Sequence, residues 1–197
     1  MGFREIQFSP NFTYSSDSDN IPLEFYLNVF PRAKTVDMFL GYFNSYTFSL
    51  LSEAFAEFIY NGGCVSIITN HYYSPLDHQI FFGVEEESLD YKSISQILSN
   101  LKKLKSTLDA GGQLFFDCLK FLMKKDRLKI QPVLFRNQLS HKKIMIFNDS
   151  DNTVMCNGSM NFTPSGLIHN GESFLVDVSW NKGVGQTRII DEQNNFE

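Results

Sequence analysis

Tryptophan, cysteine and long apolar runs are scarce in this chain, and each scarcity closes a class of explanation. One tryptophan stands against twenty phenylalanines. The aromatic weight therefore lies in a side chain that fills cores and has no polar handle, which speaks for packing and says little of function. The three cysteines, Cys64, Cys118 and Cys156, are odd in number and far apart. No two have metal-ligand spacing, and the set does not make a disulfide framework. Cys64 and Cys156 lie in apolar, strand-like runs and read as buried thiols, which points to a reducing cytoplasm. No run is apolar for long enough to span a membrane. The N-terminus lacks a basic head followed by an apolar stretch, so no signal peptide is expected. Without one, the sequons Asn11-Phe12-Thr13 and Asn161-Phe162-Thr163 carry no meaning. Internal repeats and low-complexity segments are absent, as is any H-E-x-x-H or comparable metal pattern. His71 and His78 read as surface residues.

Positive charge is also short overall: the net charge is −5. Its distribution is uneven. Residues 1–101 hold four basic and twelve acidic side chains, residues 102–143 eleven and three, and residues 144–197 two and seven. A phosphate-binding face needs local positive charge rather than a basic protein. The central block includes Arg127 and Arg136 and runs into Lys142 and Lys143. Part of it, Lys102, Lys103, Lys105, Lys120, Lys124 and Lys125, is equally the composition of a solvated helix face.

The length suits one domain with a real core. Phe3–Phe8 reads as a short strand and Ser15–Asn20 as a loop. Ile21–Ala33 reads as a helix with Pro22 in its first turn. Thr35–Phe43 is β-branched and aromatic and predicts a buried strand. Ser45–Tyr60 has Phe48, Leu51, Phe55 and Phe58 at helical spacing, closed by Asn61-Gly62-Gly63. Cys64–Thr69 predicts a second buried strand, which completes a βαβ unit with a parallel sheet. Two helices follow at 93–105 and 113–125, then a strand over Leu128–Phe135. Pro132 within it suggests an edge or a bulge. Lys143–Phe147 and Thr153–Asn157 flank a polar turn and predict a hairpin. Pro164–Leu167 reads as one helical turn and Ser173–Val178 as the last strand. Residues 1–180 thus form the domain, and 181–197 read as a polar tail or a linker to a further domain.

The chemistry concentrates in residues 141–172. His141 and Lys143 form an H-x-K pair, Gly158-Ser159-Met160-Asn161 follows, and Glu172 stands eleven residues beyond Asn161. A neutral imidazole can attack phosphorus near pH 7. A lysine two residues on points the same way along a strand and can neutralise a phosphate oxygen. That period puts Lys142 on the other face, as a backbone contact or plain surface. Asn161 can donate its amide to a phosphate and Ser159 its hydroxyl. Gly158 allows close approach of the backbone. A carboxylate at Glu172 can fix the tautomer of the imidazole. Gly158, Lys142 and Arg136 are assigned to substrate binding. His169 would lie at the mouth of the site.

This set resembles the active-site signature of the phospholipase D superfamily, H-x-K followed by G-S-x-N. Glu172 narrows the resemblance to the nuclease branch, the small bacterial nucleases and related restriction endonucleases. The resemblance covers roughly Thr35 to Val178. It implies an α/β fold, an α-β-α sandwich on a mixed, largely parallel central sheet with one motif per chain. It implies cleavage of DNA or RNA through a phosphohistidine on His141, with no cofactor and no metal. The mechanism takes two histidines, one as nucleophile and one as general acid, and a single-motif chain meets that need as a homodimer. It also implies a restriction or defence setting with a helicase or DNA-recognition partner and no membrane. One departure stands out: the fuller pattern is H-x-K-x-x-x-x-D, and here its last position is Asn148, with Asp149 next. Two other readings remain open. One is a lipid phosphodiesterase or phosphatidyltransferase. The other is an inactive phospholipase D-like module for DNA binding or dimerisation.

Overall fold

The computed structural model describes residues 2–40, 47–70, 121–122, 124–133, 142–160, 162, 167–168 and 171–196. Seven strands form one sheet: β1 (Thr13–Ser15), β2 (Thr35–Leu40), β3 (Cys64–Asn70), β4 (Leu128–Val133), β5 (Lys143–Asn148), β6 (Thr153–Gly158) and β7 (Ser173–Val178). Their spatial order is β1-β7-β6-β5-β2-β3-β4. Among the described residues the helices α1 (Pro22–Val29), α2 (Thr47–Leu50), α3 (Ser52–Tyr60) and α4 (Val184–Asn194) accompany them.

The βαβ expectation holds, since β2 and β3 pair in parallel from Thr35↔Cys64 to Leu40↔Thr69. β4 continues in parallel from Val65↔Leu128. Pro132, which has no N–H to give a ladder, lies on this outermost described strand. From β5 onward the pairing is antiparallel, β5 against both β2 and β6, β6 against β7, and β7 against β1. The sheet is therefore mixed, as expected, with a smaller parallel share than the βαβ pattern suggested. The cause is local. Asp149–Asn152 joins β5 to β6, and so short a link can connect only antiparallel strands. Asp149 Oδ1 accepts from the N–H groups of Asp151 and Asn152 at 3.0 and 2.7 Å, which holds Ser150 at φ 89°.

Period-two alternation gives the sheet two unlike faces. On one, Val36, Met38, Leu40, Val65, Ile67, Met145, Phe147, Val154, Cys156, Phe174 and Val176 meet Phe25, Tyr26, Phe30, Phe55 and Phe58 from α1, α3 and the turn after α1. The phenylalanine surplus is spent here. Phe30 and Phe147 stack edge to face at 5.2 Å, and Phe25 meets Phe174 at 5.1 Å. Cys156 is buried beside the Tyr26 hydroxyl, 3.5 Å from it, and burial pushes the thiol up to about 12. Cys64, by contrast, is only half-buried. On the reverse face, Phe39, Ile144, Ile146 and Met155 are covered by Ile189 of α4 and by Phe196.

Several elements differ from the sequence reading. Phe3–Glu5 is a 3-10 turn rather than a strand, its Phe3 N–H donating to Asp149 Oδ2 at 2.6 Å. Thr13–Ser15, expected to run from an irregular stretch into a loop, is edge strand β1. The helix expected over 45–60 is broken at Leu51, whose φ −104° and ψ 13° are not helical. Residues 184–194, read as a polar tail, form helix α4, because Arg188 pairs with Asp177 and Ile189 closes the reverse face. The helix expected over 93–105 and residues 113–120 of the one expected over 113–125 lie outside the described residues.

Candidate active site

The strand register gathers the motif at one end of the sheet. Lys143 opens β5 opposite Leu40, the last residue of β2, and Leu40 is opposite Thr69 near the end of β3. On the other side Ile144 pairs with Asn157. One step further along the ladder brings Lys143 level with Gly158, and Gly158 is opposite Phe174. Lys143 shares its face with Met145 and Phe147, Gly158 with Cys156 and Val154, and both belong to the helix-covered side. This is the carboxyl end of β2, β3, β4 and β6, where open α/β sheets bind ligands.

Gly158 does what a glycine is needed for, though toward protein rather than phosphate. A Cβ at that position would lie 2.2 Å from Ser173 O and 2.5 Å from Phe174 Cα. The ends of β6 and β7 thus approach more closely than any side chain permits. Ser159 then extends the seam. Its N–H donates to Ser173 O at 3.0 Å, its hydroxyl accepts from Ser173 N–H at 3.3 Å, and Ser159 Oγ lies 3.4 Å from Ser173 O. The serine hydroxyl is engaged with the strand that begins one residue after Glu172. These contacts pin that strand.

Glu172 is held by its backbone. Its N–H donates to Ser16 Oγ at 3.1 Å, and its carbonyl accepts from Ser16 N–H at 3.1 Å and from the Ser15 hydroxyl at 3.4 Å. The loop after β1 thereby fixes the start of β7. On the other side of the motif, Met160 and Phe162 are buried, and the fully buried Thr47 donates its hydroxyl to Phe162 O at 2.8 Å. Sequence reasoning missed Ser16 and Thr47. Neither has a local signal, because their partners lie 156 and 115 residues away.

Lys142 falls on the opposite face, as period two requires. Its ammonium lies 2.9 Å from Glu192 Oε2 of α4 and 5.8 Å from the Phe39 ring centre. It ties the C-terminal helix to the reverse side of the motif strand, on the face away from Lys143. Asn148 and Asp149 close the far end of β5. Asn148 Oδ1 accepts from the Thr153 hydroxyl at 2.6 Å, and Asn148 Nδ2 donates to Thr35 Oγ1 at 3.2 Å. Five residue steps separate Asn148 from Lys143, about 16 Å at strand rise, so neither Asn148 nor Asp149 reaches a phosphate held by Lys143. His141, Asn161, Arg136, His71, His78 and His169 lie outside the described residues.

The model of the family described as cardiolipin synthase, PLD-like domain, matches residues 31–186. The structure resembles phosphatidylserine synthase from Haemophilus influenzae Rd KW20, with a TM-score of 0.55 and 17% identity over 95% of this chain and 39% of that one. It also resembles Nuc from Salmonella typhimurium, a phospholipase D family member, at TM-score 0.49 and 14% identity over 93% and 91% of the two chains. NucT from Helicobacter pylori gives 0.48 and 14% over 89% and 84%. The chain thus spans well under half of the synthase and most of each Nuc protein. Curated proteins give no sequence match. With the family match running from the turn after α1 into α4 and enclosing the whole H-x-K to Glu172 stretch, the chain belongs to the phospholipase D-like family, part of a superfamily of phosphodiesterases and phosphotransferases.

Proposed function

We propose that this protein is a metal-independent phosphodiesterase that cleaves DNA through a phosphohistidine on His141. The supporting observation is that Lys143 and Gly158 fall level on one face at the carboxyl end of the sheet, with Glu172 two residues ahead of Phe174 in the same row. In the sequence His141 stands two residues before Lys143. Asn161 is bonded on both sides to the buried residues Met160 and Phe162.

In this reading an imidazole nitrogen of His141 attacks phosphorus and the bond to the leaving sugar oxygen breaks. That oxygen takes a proton from a second histidine, His141 of the partner subunit. Water then attacks the phosphohistidine, gives its proton back to the second histidine and releases a phosphomonoester and free His141. Lys143 and Asn161 balance the charge on the non-bridging oxygens. Glu172 accepts from the second ring nitrogen of His141 and sets which nitrogen attacks. Removing one such charge-stabilising donor typically costs about 10²- to 10³-fold in rate. The nuclease serves a restriction or defence system, with sequence recognition supplied by a partner.

The family description favours a second reading, transfer of a phosphatidyl group. One experiment separates the two. Supercoiled plasmid, single-stranded DNA and phosphatidyl lipid vesicles are each incubated in excess EDTA with wild type and with His141→Ala. Nicking by wild type alone, with the lipid untouched, is the expected result. Lipid turnover without nicking transfers the assignment to the second reading. Cleavage retained in His141→Ala overturns the histidine mechanism.

A further inference from the structure

The first rung beyond strand β1 is made by a side chain. In the β1–β7 ladder Tyr14 is opposite Phe174 and Ser15 opposite Ser173, so Ser16 falls opposite Glu172. In an antiparallel pair every second position exchanges two main-chain bonds. At Phe12 the carbonyl takes part, accepting from Val176 N–H at 2.7 Å. At Ser16 one of the two bonds is ordinary, its N–H donating to Glu172 O at 3.1 Å. For the other, the Ser16 hydroxyl stands in for the carbonyl and accepts from Glu172 N–H at 3.1 Å. The loop turns back at this point, with Ser15 N–H donating to Asn20 O at 3.0 Å and Ser18 N–H to Ser15 O at 3.2 Å. The strand that carries the serine is firmly seated: Tyr14 is buried and stacks on Phe174 at 5.4 Å. Glu172 has less support from its own side. Gly171 before it is in the left-handed region at φ 62°, and β7 begins only at Ser173. Ser16 thus extends the ladder to Glu172, and it comes from ahead of the family match, which begins at residue 31.

We infer that Ser16 is a positioning residue of the active site, holding the Glu172 main chain so that its carboxylate keeps the imidazole of His141 in one tautomer. The inference rests on the role proposed above for Glu172. An N–H that loses its acceptor turns to water and no longer fixes the chain that carries it. At a catalytic group a displacement of about an ångström can cost about 10²-fold in rate. The rival account is that Ser16 only closes the edge of the sheet. Its loss would then lower stability and leave the imidazole as it was. The other charged groups on the neighbouring segments are Asp17 and Asp19 of the loop, Glu24 of α1 and Lys143 of β5. All of them stay in place in the variants that separate the two accounts.

The experiment follows the imidazole directly. The full chain is isotopically labelled at its four histidines, and His141→Ala identifies the His141 signal by NMR. Its titration is read in wild type, Glu172→Gln, Ser16→Ala and Ser16→Thr, with thermal melts and nicking rates on the same preparations. A neighbouring carboxylate favours the imidazolium, so Glu172→Gln should move the His141 titration to lower pH by about one unit or more. Ser16→Ala should move it the same way by a smaller amount and lose about tenfold in nicking rate. Ser16→Thr, which keeps the hydroxyl, should match wild type in both. A titration moved by Glu172→Gln and untouched by Ser16→Ala overturns the inference and leaves the proposed mechanism standing. A titration that neither variant moves overturns both, since Glu172 then does not partner His141. The expected shifts in a protein that fails to nick DNA would support the role of Ser16 and fault the nuclease reading alone.

Discussion

Asn148 occupies the position where the family pattern has aspartate, and its place in the fold decides what the departure costs. It lies at the far end of β5 from Lys143, bonded to Thr35 and Thr153 across three strands. Its amide bridges two hydroxyls, donating to one and accepting from the other. An aspartate keeps the acceptor and loses the donor. Asn148→Asp should therefore leave the cleavage rate within about twofold and lower stability by no more than about 1 kcal/mol. A large gain or loss of activity at unchanged stability would show that this position acts on the chemistry after all. Asp37 makes the second case at this scale. Its carboxyl sits half-buried on the reverse face, and desolvation pushes its pKa above the usual value, against a smaller lowering by the Ser66 hydroxyl. A raised carboxyl holds its proton more tightly in the folded than in the unfolded chain. Its contribution favours folding at pH below the usual carboxylate range and is lost as pH rises through the raised value. At neutral pH Asp37 is a charge kept partly from water. Asp37→Asn should raise Tm at pH 7, with the difference closing toward pH 3. A gap of equal size at both pH values would rule out this cause.

Among the elements, the β6–β7 seam is the most exposed to a single change. Gly158→Ala drives a methyl into the Ser173 carbonyl and Phe174 Cα, which are backbone and cannot rotate away. Strand separation of that kind costs about 1–3 kcal/mol. Because the same seam seats Ser159 and the start of β7, activity should fall further than the lost stability explains. Thermal melts and nicking rates on one preparation check this, and a variant that melts normally and cuts normally refutes the seam's role. This scale also shows what a sequence reveals. β2, α3, β3 and the β5–β6 hairpin were legible because each buries a periodic run against the phenylalanine core. The face of Lys143 followed from period two alone. α4 was not legible, since Ile189 is its only buried residue and two glycines stand at its start. Its hold comes from Asp177 and Lys142, whose partners Arg188 and Glu192 are close only after folding. β1 is three residues long and exists because β7 offers an edge. The clamps from Ser16 and Thr47 were illegible for the same reason.

At the scale of the whole molecule, the stretch of chain between Lys102 and Lys143 looked like one basic surface leading into the motif. Its described part is divided between two ends of the sheet. β4 runs parallel to β3, so Lys124–Lys129 lie at the entrance of that strand. β5 runs antiparallel to β2, so Lys143 lies at the opposite end. Topology, which charge patterning does not encode, made the division. Topology also bears on the number of chains in a working site. A mechanism with a nucleophile and a general acid takes two histidines at one phosphate, and this chain has one H-x-K. Under the proposed mechanism, two copies of the motif end related by a two-fold axis would meet that requirement, each His141 serving the other. Such sharing has a consequence that independent sites lack. If wild type is mixed with an equal amount of His141→Ala and allowed to exchange subunits, only dimers with two intact histidines turn over. Activity per wild-type and variant chain together should then fall to about a quarter of the pure wild-type value. Independent sites would leave about a half. A result of a half with a dimeric mass would mean that each chain finds its general acid among its own residues, and the search would turn to His71, His78 and His169.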